Sequence, residues 1–302
     1  MTVVIPARDR PDRLAATLAS VQAQDAPPAT IVVVDDGSAQ PLAPGAPGPA
    51  ELHVIRHETS RGVAAARNTG IVAARTPWVA LLDDDDLWSP AKLRLQLAAA
   101  ERARADWVFG TALHVGEDGT VLQVEAAPAA DGLSAALRGA NVIPAGASNV
   151  LARRELLVEA GLFDGAFHHY ADWDLWLRLA GRARAASIPE AVVGYVRHTA
   201  SMQIADADSA LTEFEMLSAR HAGAGQTPLG GPWVDRWLAE GLWGAGRRRA
   251  ALALMLRSAA QRRSPSQFRG ALGIARARFA SHAERTAAPP WARPATFRPP
   301  VD

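Results

Sequence analysis

Short apolar runs alternate with helix-period segments through the first hundred residues. Val3-Val4-Ile5 is a buried-strand run stopped by Pro6, and Arg8-Asp9-Arg10-Pro11 punctuates the turn that follows. Leu14, Leu18 and Val21 then recur at helical spacing until Pro27-Pro28 closes the segment. Ile31 to Val34 reads as a second strand, Leu52 to Ile55 as a third and Trp78 to Leu82 as a fourth. The stretch 41–50 is a Pro/Gly-rich loop. Gly62 to Ala74 is alanine-rich and reads as a helix ended by Thr76-Pro77. Pro90 starts a further helix, with Leu93 and Leu97 on its buried face.

This alternation predicts an α/β fold, a mostly parallel sheet with helices on both faces. In such sheets ligands bind outside the carboxyl ends of the strands. The second half is less regular. Trp107 to Val115 and Val121 to Val124 flank Gly116-Glu117-Asp118-Gly119, a hairpin signal. Arg153 to Ala160 and Asp172 to Leu179 read as helices, and Ala191 to Val196 as a strand. Beyond Ala205 the spacing is helical again, through Trp233, Trp237, Leu238, Leu252, Met255 and Leu256 to Phe268, Leu272 and Ile274.

Two of the strand runs end in carboxylates. Asp35-Asp36 follows Ile31 to Val34, and Asp83 to Asp86 follow Trp78 to Leu82. Four adjacent carboxylates repel one another, and a divalent cation is the simplest offset. Two acidic strand ends in one α/β pattern point to a metal-dependent site for a phosphorylated ligand.

Composition narrows the setting. A chain of 302 residues with 49% apolar content suits one large α/β domain plus an appendage, or two small domains. Charge is split: residues 1–220 carry 19 bases against 27 acids, while residues 221–302 carry 13 arginines against 4 acids. The basic end suits an anionic partner, such as lipid headgroups, or is simply a solvated helical face. Absence of cysteine excludes disulfides, thiolate metal sites and cysteine nucleophiles. No signal peptide is visible and no apolar run reaches the roughly 18–20 residues of a membrane span, so a cytoplasmic location is expected. Lys92 is the single lysine.

Five motifs in order carry a resemblance. Val-Val-Ile-Pro-Ala-Arg-Asp-Arg-Pro, Val34-Asp35-Asp36-Gly37-Ser38, Gly62 to Gly70 with Ala66-Arg67-Asn68, Leu82 to Trp88 followed by Pro90, and Asp172 to Arg178 resemble the motifs of family-2 glycosyltransferases. The likeness covers about residues 2–201. It implies a GT-A-type fold: a single Rossmann-like nucleotide-binding domain with a mixed sheet, here with a C-terminal helical extension. It also implies a nucleotide-diphosphate sugar donor, UDP-linked by default, and inversion at the anomeric carbon.

The resemblance also implies roles. Asp36 takes the base ring N–H, with Pro6 and Arg8 near the base. Asp83 lies by the ribose or the metal, and Asp84 belongs to the nucleotide site, as a supporting or helix-capping residue. Asp85 is the leading ligand for Mn²⁺ or Mg²⁺, joined by Asp83 and by His198 of Val196-Arg197-His198. Arg67 faces the diphosphate, a position where a guanidinium can grip phosphate oxygens in bidentate fashion. Asp172 is the catalytic base that takes the acceptor proton. The family precedes that aspartate with glutamate; here the pair reads Ala171-Asp172. His168 and His169 are candidates to fill in, one of Trp173 and Trp176 to wall the acceptor side, Ser148-Asn149 to meet the donor sugar, and Asp9 to cap the first helix.

The acceptor is expected to be a glycan or lipid-linked hydroxyl in cell-surface or secreted glycan synthesis. Arg247-Arg248-Arg249 followed by Leu252 to Leu256 suits peripheral contact with the inner membrane face. No nucleic-acid motif is present. Two other readings compete: a nucleotide-sugar-binding module of the same fold with impaired turnover, and a nucleotidyltransferase. The glycine-free turn Pro6-Ala7-Arg8-Asp9 argues against the latter. The expected organisation is a catalytic domain over 1–204, with a nucleotide part to about 115, then a helical extension over 205–288 and an irregular tail over 289–302.

Overall fold

The computed structural model describes residues 1–43, 45, 48–198, 207–223, 228–244, 246–262 and 286–293. They form two compact units, one on Met1–Ser134, Val142–Thr199 and Ala283–Asp302, the other on Ala135–Asn141 and Ala200–His282, each in its described residues. In chain order the elements are β1 (Thr2–Ala7), α1 (Pro11–Gln22), β2 (Thr30–Asp36), β3 (Glu51–His57), α2 (Val63–Ala73), β4 (Trp78–Leu81), β5 (Leu87–Trp88) and α3 (Lys92–Ala103). Then come β6 (Trp107–Gly116), β7 (Thr120–Glu125), α4 (Leu133–Gly139), β8 (Leu151–Arg153), α5 (Arg154–Glu159), α6 (Ala171–Ala180) and β9 (Ala185–Arg197). Helices α7 (Ala207–Arg220), α8 (Pro232–Gly244) and α9 (Arg248–Arg262) belong to the second unit, and β10 (Thr286–Ala287) to the first.

The described strands make one mixed sheet in the order β10-β7-β6-β8-β4-β1-β2-β3, with β9 pairing β5 and β6. Strands β4, β1, β2 and β3 run parallel, as the βα alternation requires. Val3, Ile5, Ile31 and Val33 point to one face and pack with Leu14 and Leu18 of α1 and Leu93 of α3. Val32 and Val34 point to the other face, against Ala66 of α2. A side chain on Gly70 of α2 would overlap Val4, so glycine there lets α2 lie directly on β1. Each fully buried Val, Leu or Ile contributes about 1.5–3 kcal/mol.

Several boundaries differ from the sequence pattern. Strand β1 continues through Pro6 to Ala7. Val4 accepts a backbone bond from Leu82 on the β4 side, and Pro6, two residues on, faces that same side. The β4 ladder stops at Leu81, so Pro6 lies at its end, where proline is tolerated, while pairing with β2 runs on to Ala7. Strand β9 begins at Ala185, six residues before the apolar run; its register against β6 shifts between Gly110 and Ala112, opposite Pro189-Glu190. Strands β5 and β8 are too short to show a period. In the stretch read as helical over 205–288, Thr286–Ala287 instead pairs antiparallel with β7. Phe268, Leu272, Ile274 and the tail beyond Arg293 lie outside the described residues.

Candidate active site

Parallel pairing brings three turns to one edge of the sheet: Pro6–Arg10 after β1, Asp35-Asp36 ending β2, and Asp83–Asp86 after β4. Asp36 is buried, and each of its oxygens meets two donors. Oδ1 faces the His57 ring at 2.7 Å and takes the Arg61 N–H at 2.8 Å; Oδ2 takes the Ser60 hydroxyl at 2.7 Å and the Gly62 N–H at 2.9 Å. Burial raises its pKa, but these donors outweigh it and hold the carboxyl below the usual range. Asp35 is likewise saturated, by the Ser38 and Leu42 N–H groups and by Arg56. The two aspartates thereby pin the loops after β2 and β3.

The four acids after β4 occupy different environments. Asp83 takes Nη2 of Arg67 at 2.5 Å, and its N–H donates to the Ser148 hydroxyl at 3.1 Å. Asp84 is buried beside the Arg8 N–H at 3.3 Å and Nη1 of Arg10 at 3.2 Å. Its pKa is pushed up to about 7 by burial and by Asp85, against the pull of Arg10. On Asp85, Oδ2 takes Nη1 of Arg10 at 2.7 Å and lies 3.0 Å from Nε2 of His198. Asp86 is fully enclosed, takes the Val196 N–H at 3.1 Å and leaves Oδ2 without a partner among the described residues. Burial and then Asp85 and Asp83 push its carboxyl well above the usual range.

No group of three His, Cys, Asp or Glu side chains stands preassembled as a metal cage among the described residues. A Mg²⁺-type ion does not need one, because it binds through one or two carboxylates, keeps waters and takes substrate phosphates. Adjacent octahedral ligands at about 2.1 Å from an ion stand about 3.0 Å apart. Asp85 and His198 have that separation, so this oxygen-plus-imidazole pair fits Mn²⁺ or Mg²⁺, while Asp83 is engaged by Arg67.

Arg67 is buried in α2, its guanidinium 5.2 Å from the Phe163 ring centroid. Burial lowers its pKa, but Asp83 and, more distantly, Asp172 and Asp86 raise it further, so it stays charged. Asp172 opens α6; its Oδ1 takes the Trp173 N–H at 2.7 Å. The left-handed turn Ala145-Gly146 runs against the same carboxylate. Arg67 thus lies in the field both of the acids after β4 and of Asp172 at the start of α6.

Other sequence candidates serve the scaffold. Ser148 and Asn149 are fully buried, so neither faces a ligand. Asn149 bonds both backbone groups of Gly110, and the Ser148 hydroxyl holds Asp83. Trp173 and Trp176 are both core, Trp176 stacking on Trp107 at 5.9 Å, which leaves neither as an acceptor wall. Asp174 is buried in an ion pair with Arg178 at 2.6 Å. Asp9 takes the Ala39 N–H at 2.7 Å, and the α1 N-cap is Arg10, without a side-chain cap. Arg8 meets the acidic cluster through its backbone N–H, with its guanidinium exposed beside Asp9. His168 is exposed. The residue missed from sequence is Arg10, which bridges Asp84 and Asp85; the Arg8-Asp9-Arg10 turn offered two equivalent arginines and no period to choose between them.

Comparison with known proteins gives the family and the fold. The family model for glycosyl transferase family 2 matches residues 2–157. The chain is 31% identical over 241 residues to a glycosyltransferase of Bacillus subtilis (strain 168), YwdF, covering 76% of this chain and 86% of that one. It is 35% identical over 127 residues to the succinoglycan biosynthesis protein ExoO of Rhizobium meliloti (strain 1021), covering 41% and 36%. Among solved structures, S. aureus TarS 1–349 in complex with UDP superposes with a TM-score of 0.57 at 17% identity, over 80% of this chain and 70% of that one. That likeness is one of fold, the GT-A type. With the family model spanning more than half its length, the chain belongs to glycosyl transferase family 2.

Proposed function

We propose that the protein is an inverting, metal-dependent glycosyltransferase. It moves a sugar from a nucleotide-diphosphate sugar, UDP-linked by preference, to a hydroxyl of a glycan or lipid-linked acceptor in polysaccharide synthesis. The carrying observation is Arg67, a buried cation bonded to Asp83 at the donor end and lying in the field of Asp172 at the acceptor end. Relatives named for succinoglycan biosynthesis, and TarS crystals holding UDP and UDP-GlcNAc, support the donor and pathway classes.

Asp172 removes the proton from the attacking acceptor hydroxyl, on the face opposite the leaving group. The Trp173 N–H and the Gly146 turn hold its carboxylate in place. Arg67 turns from Asp83 toward the diphosphate and offsets its growing charge. Asp85 and His198, with Asp83, would hold Mn²⁺ or Mg²⁺, which when bound would supply Lewis-acid stabilisation of the leaving diphosphate. The base sits near Pro6, Arg8 and Asp84. Asp36 meets the base N–H by exchanging one of its four donors, and the rotatable Ser60 hydroxyl is the one most easily released.

Exposure of Arg247, Arg248, Arg249, Leu252 and Leu256 supports contact with the cytoplasmic face of an anionic membrane. No described helix is long and apolar enough to cross one.

The test is donor consumption with Asp172→Asn and Asp85→Asn. Each is expected to lose turnover by about 10²-fold or more while melting like the parent. Full activity in both variants rejects the assignment. Ala171, standing where the family carries glutamate, favours a second reading, a module that binds nucleotide sugar with impaired turnover. Calorimetric UDP binding without transfer to any of a broad acceptor panel selects it.

A further inference from the structure

The acidic cluster already holds a cation, and that cation is part of the chain. Nη1 of Arg10 bonds Oδ1 of Asp84 at 3.2 Å and Oδ2 of Asp85 at 2.7 Å. The same Asp85 oxygen faces Nε2 of His198 at 3.0 Å. The oxygen best placed to bind an ion together with His198 is therefore occupied by a guanidinium. A guanidinium and a divalent ion drawn to the same carboxylate oxygen repel one another at short range, so the two compete for it.

We infer that Arg10 is a positioning residue of the cation site: it stands in for the divalent ion between Asp84 and Asp85 until the ion displaces it. This rests on the cation reading given above.

The attachment of Arg10 differs from that of the other buried-cluster arginines. Arg178 engages Nε, Nη1 and Nη2 at once, on Asp174 and on the Ala160 and Leu162 carbonyls, with its side chain 17% exposed. Arg67 is 8% exposed. Arg10 bonds through Nη1 alone among the described residues, and its side chain is 36% exposed. Its backbone is fixed, between left-handed Asp9 and Pro11, with its carbonyl taking the Leu14 N–H at 3.0 Å. A fixed backbone, a single tethering nitrogen and open solvent beside the side chain let the guanidinium pivot out without disturbing α1.

The stand-in answers a physical need. Without a cation between them, Asp84 and Asp85 would repel and draw apart, and the ion would meet a less gathered site. With Arg10 in place the ligands stay gathered, at the cost of competition with the ion.

Mn²⁺ alone, without nucleotide, is titrated into the full chain and its Arg10→Gln and Arg10→Lys variants, with free Mn²⁺ read by electron paramagnetic resonance. Arg10→Gln is expected to bind Mn²⁺ up to about fivefold more tightly than the parent, the size of one lost ion-pair competitor. Arg10→Lys is expected to stay near the parent. Without metal, Arg10→Gln should melt lower, and Mn²⁺ should raise its melting temperature further than the parent's. A purely structural Arg10 would give weaker or equal Mn²⁺ binding in the Gln variant, and that result overturns the inference. A second readout uses the parent alone: the Arg10 Nη nitrogen signals, slow to rotate when bonded, should become fast-rotating on adding Mg²⁺. If the titration is repeated with UDP and neither parent nor variant takes up Mn²⁺, the cation reading itself falls, and this inference with it.

Discussion

Gly146 lies directly against the carboxylate of Asp172: a Cβ built on it would stand 2.6 Å from Oδ2. Its φ of 50° is left-handed, so a side chain there meets both backbone strain and the carboxylate. Gly146→Ala should therefore displace the base without touching the donor end. We expect turnover to fall at least tenfold, roughly the cost of misplacing a reacting group by a fraction of an ångström, with UDP affinity by calorimetry held within about twofold. Equal loss of both would mean that the turn supports the whole cleft rather than Asp172.

Asp172 and Asp174 belong to one motif but do different work. Asp174 is 0% exposed, and its partner Arg178 also bonds the Ala160 and Leu162 carbonyls ahead of α6. Asp174→Ala leaves a guanidinium in the core without its counter-charge, at a cost of about 3–5 kcal/mol. Asp172→Ala should cost less than about 1 kcal/mol, since its carboxylate is only part-buried. Urea denaturation of the pair should separate them cleanly, with activity lost in both but stability lost in one.

The sequence made the βα alternation, both acidic strand ends and the α6 motif legible, because each combines a long apolar period with a sharp chemical change. Other features were hidden for physical reasons. Strand β8 has three residues, too few for a period, yet it joins the parallel half to β6. Pro6 looked like a stop because sequence does not show where β4 ends. Trp173 and Trp176 are three positions apart on a helix, which allowed one to face out; the neighbouring Trp107 and Phe163 rings turn Trp176 inward. The bridging of Asp84 and Asp85 by Arg10 spans about seventy-five positions and leaves no local trace.

Lys92, the one lysine of the chain, is fully buried, with no carboxylate beside it among the described residues. Its Nζ bonds Gln96 Oε1 at 2.7 Å and sits 4.1 Å from the Trp88 ring centroid. Burial drives its pKa well below the usual value. Lys92→Met keeps the volume and removes the desolvated amine; the Asn149 carbonyl retains its bond from Gln96 at 2.7 Å, but buried Gln96 Oε1 loses its donor. We expect about 1–3 kcal/mol lost for Met, from the orphaned Gln96 acceptor, and a further loss of about 2–4 kcal/mol for Lys92→Ala, which also leaves a cavity. Met and Ala variants of equal stability would show that the amine, not the packing, holds this region.

The acids of the cleft set opposing pH dependences. Asp35 and Asp36 titrate below the usual carboxylate range, despite burial, because their donors favour the ionised form. Below about pH 4 the unfolded chain binds more protons than the folded one, so stability rises with pH there. Asp84 does the reverse. Its folded pKa of about 7 lies above its unfolded value of 3.8, so the folded state holds the extra proton between them and stability falls as pH rises through that window. At about 1.4 kcal/mol per unit, the upper bound on this loss is about 4 kcal/mol. Asp86, also raised, acts in the same direction. In metal-free buffer the melting temperature should therefore peak on the acid side, near pH 4–5 by these windows, and decline toward pH 8. Asp84→Asn should flatten the decline on the alkaline side, and Asp36→Asn the fall on the acid side. A melting temperature that climbed steadily from pH 5 to 8 would show that Asp84 is ionised in the folded protein throughout.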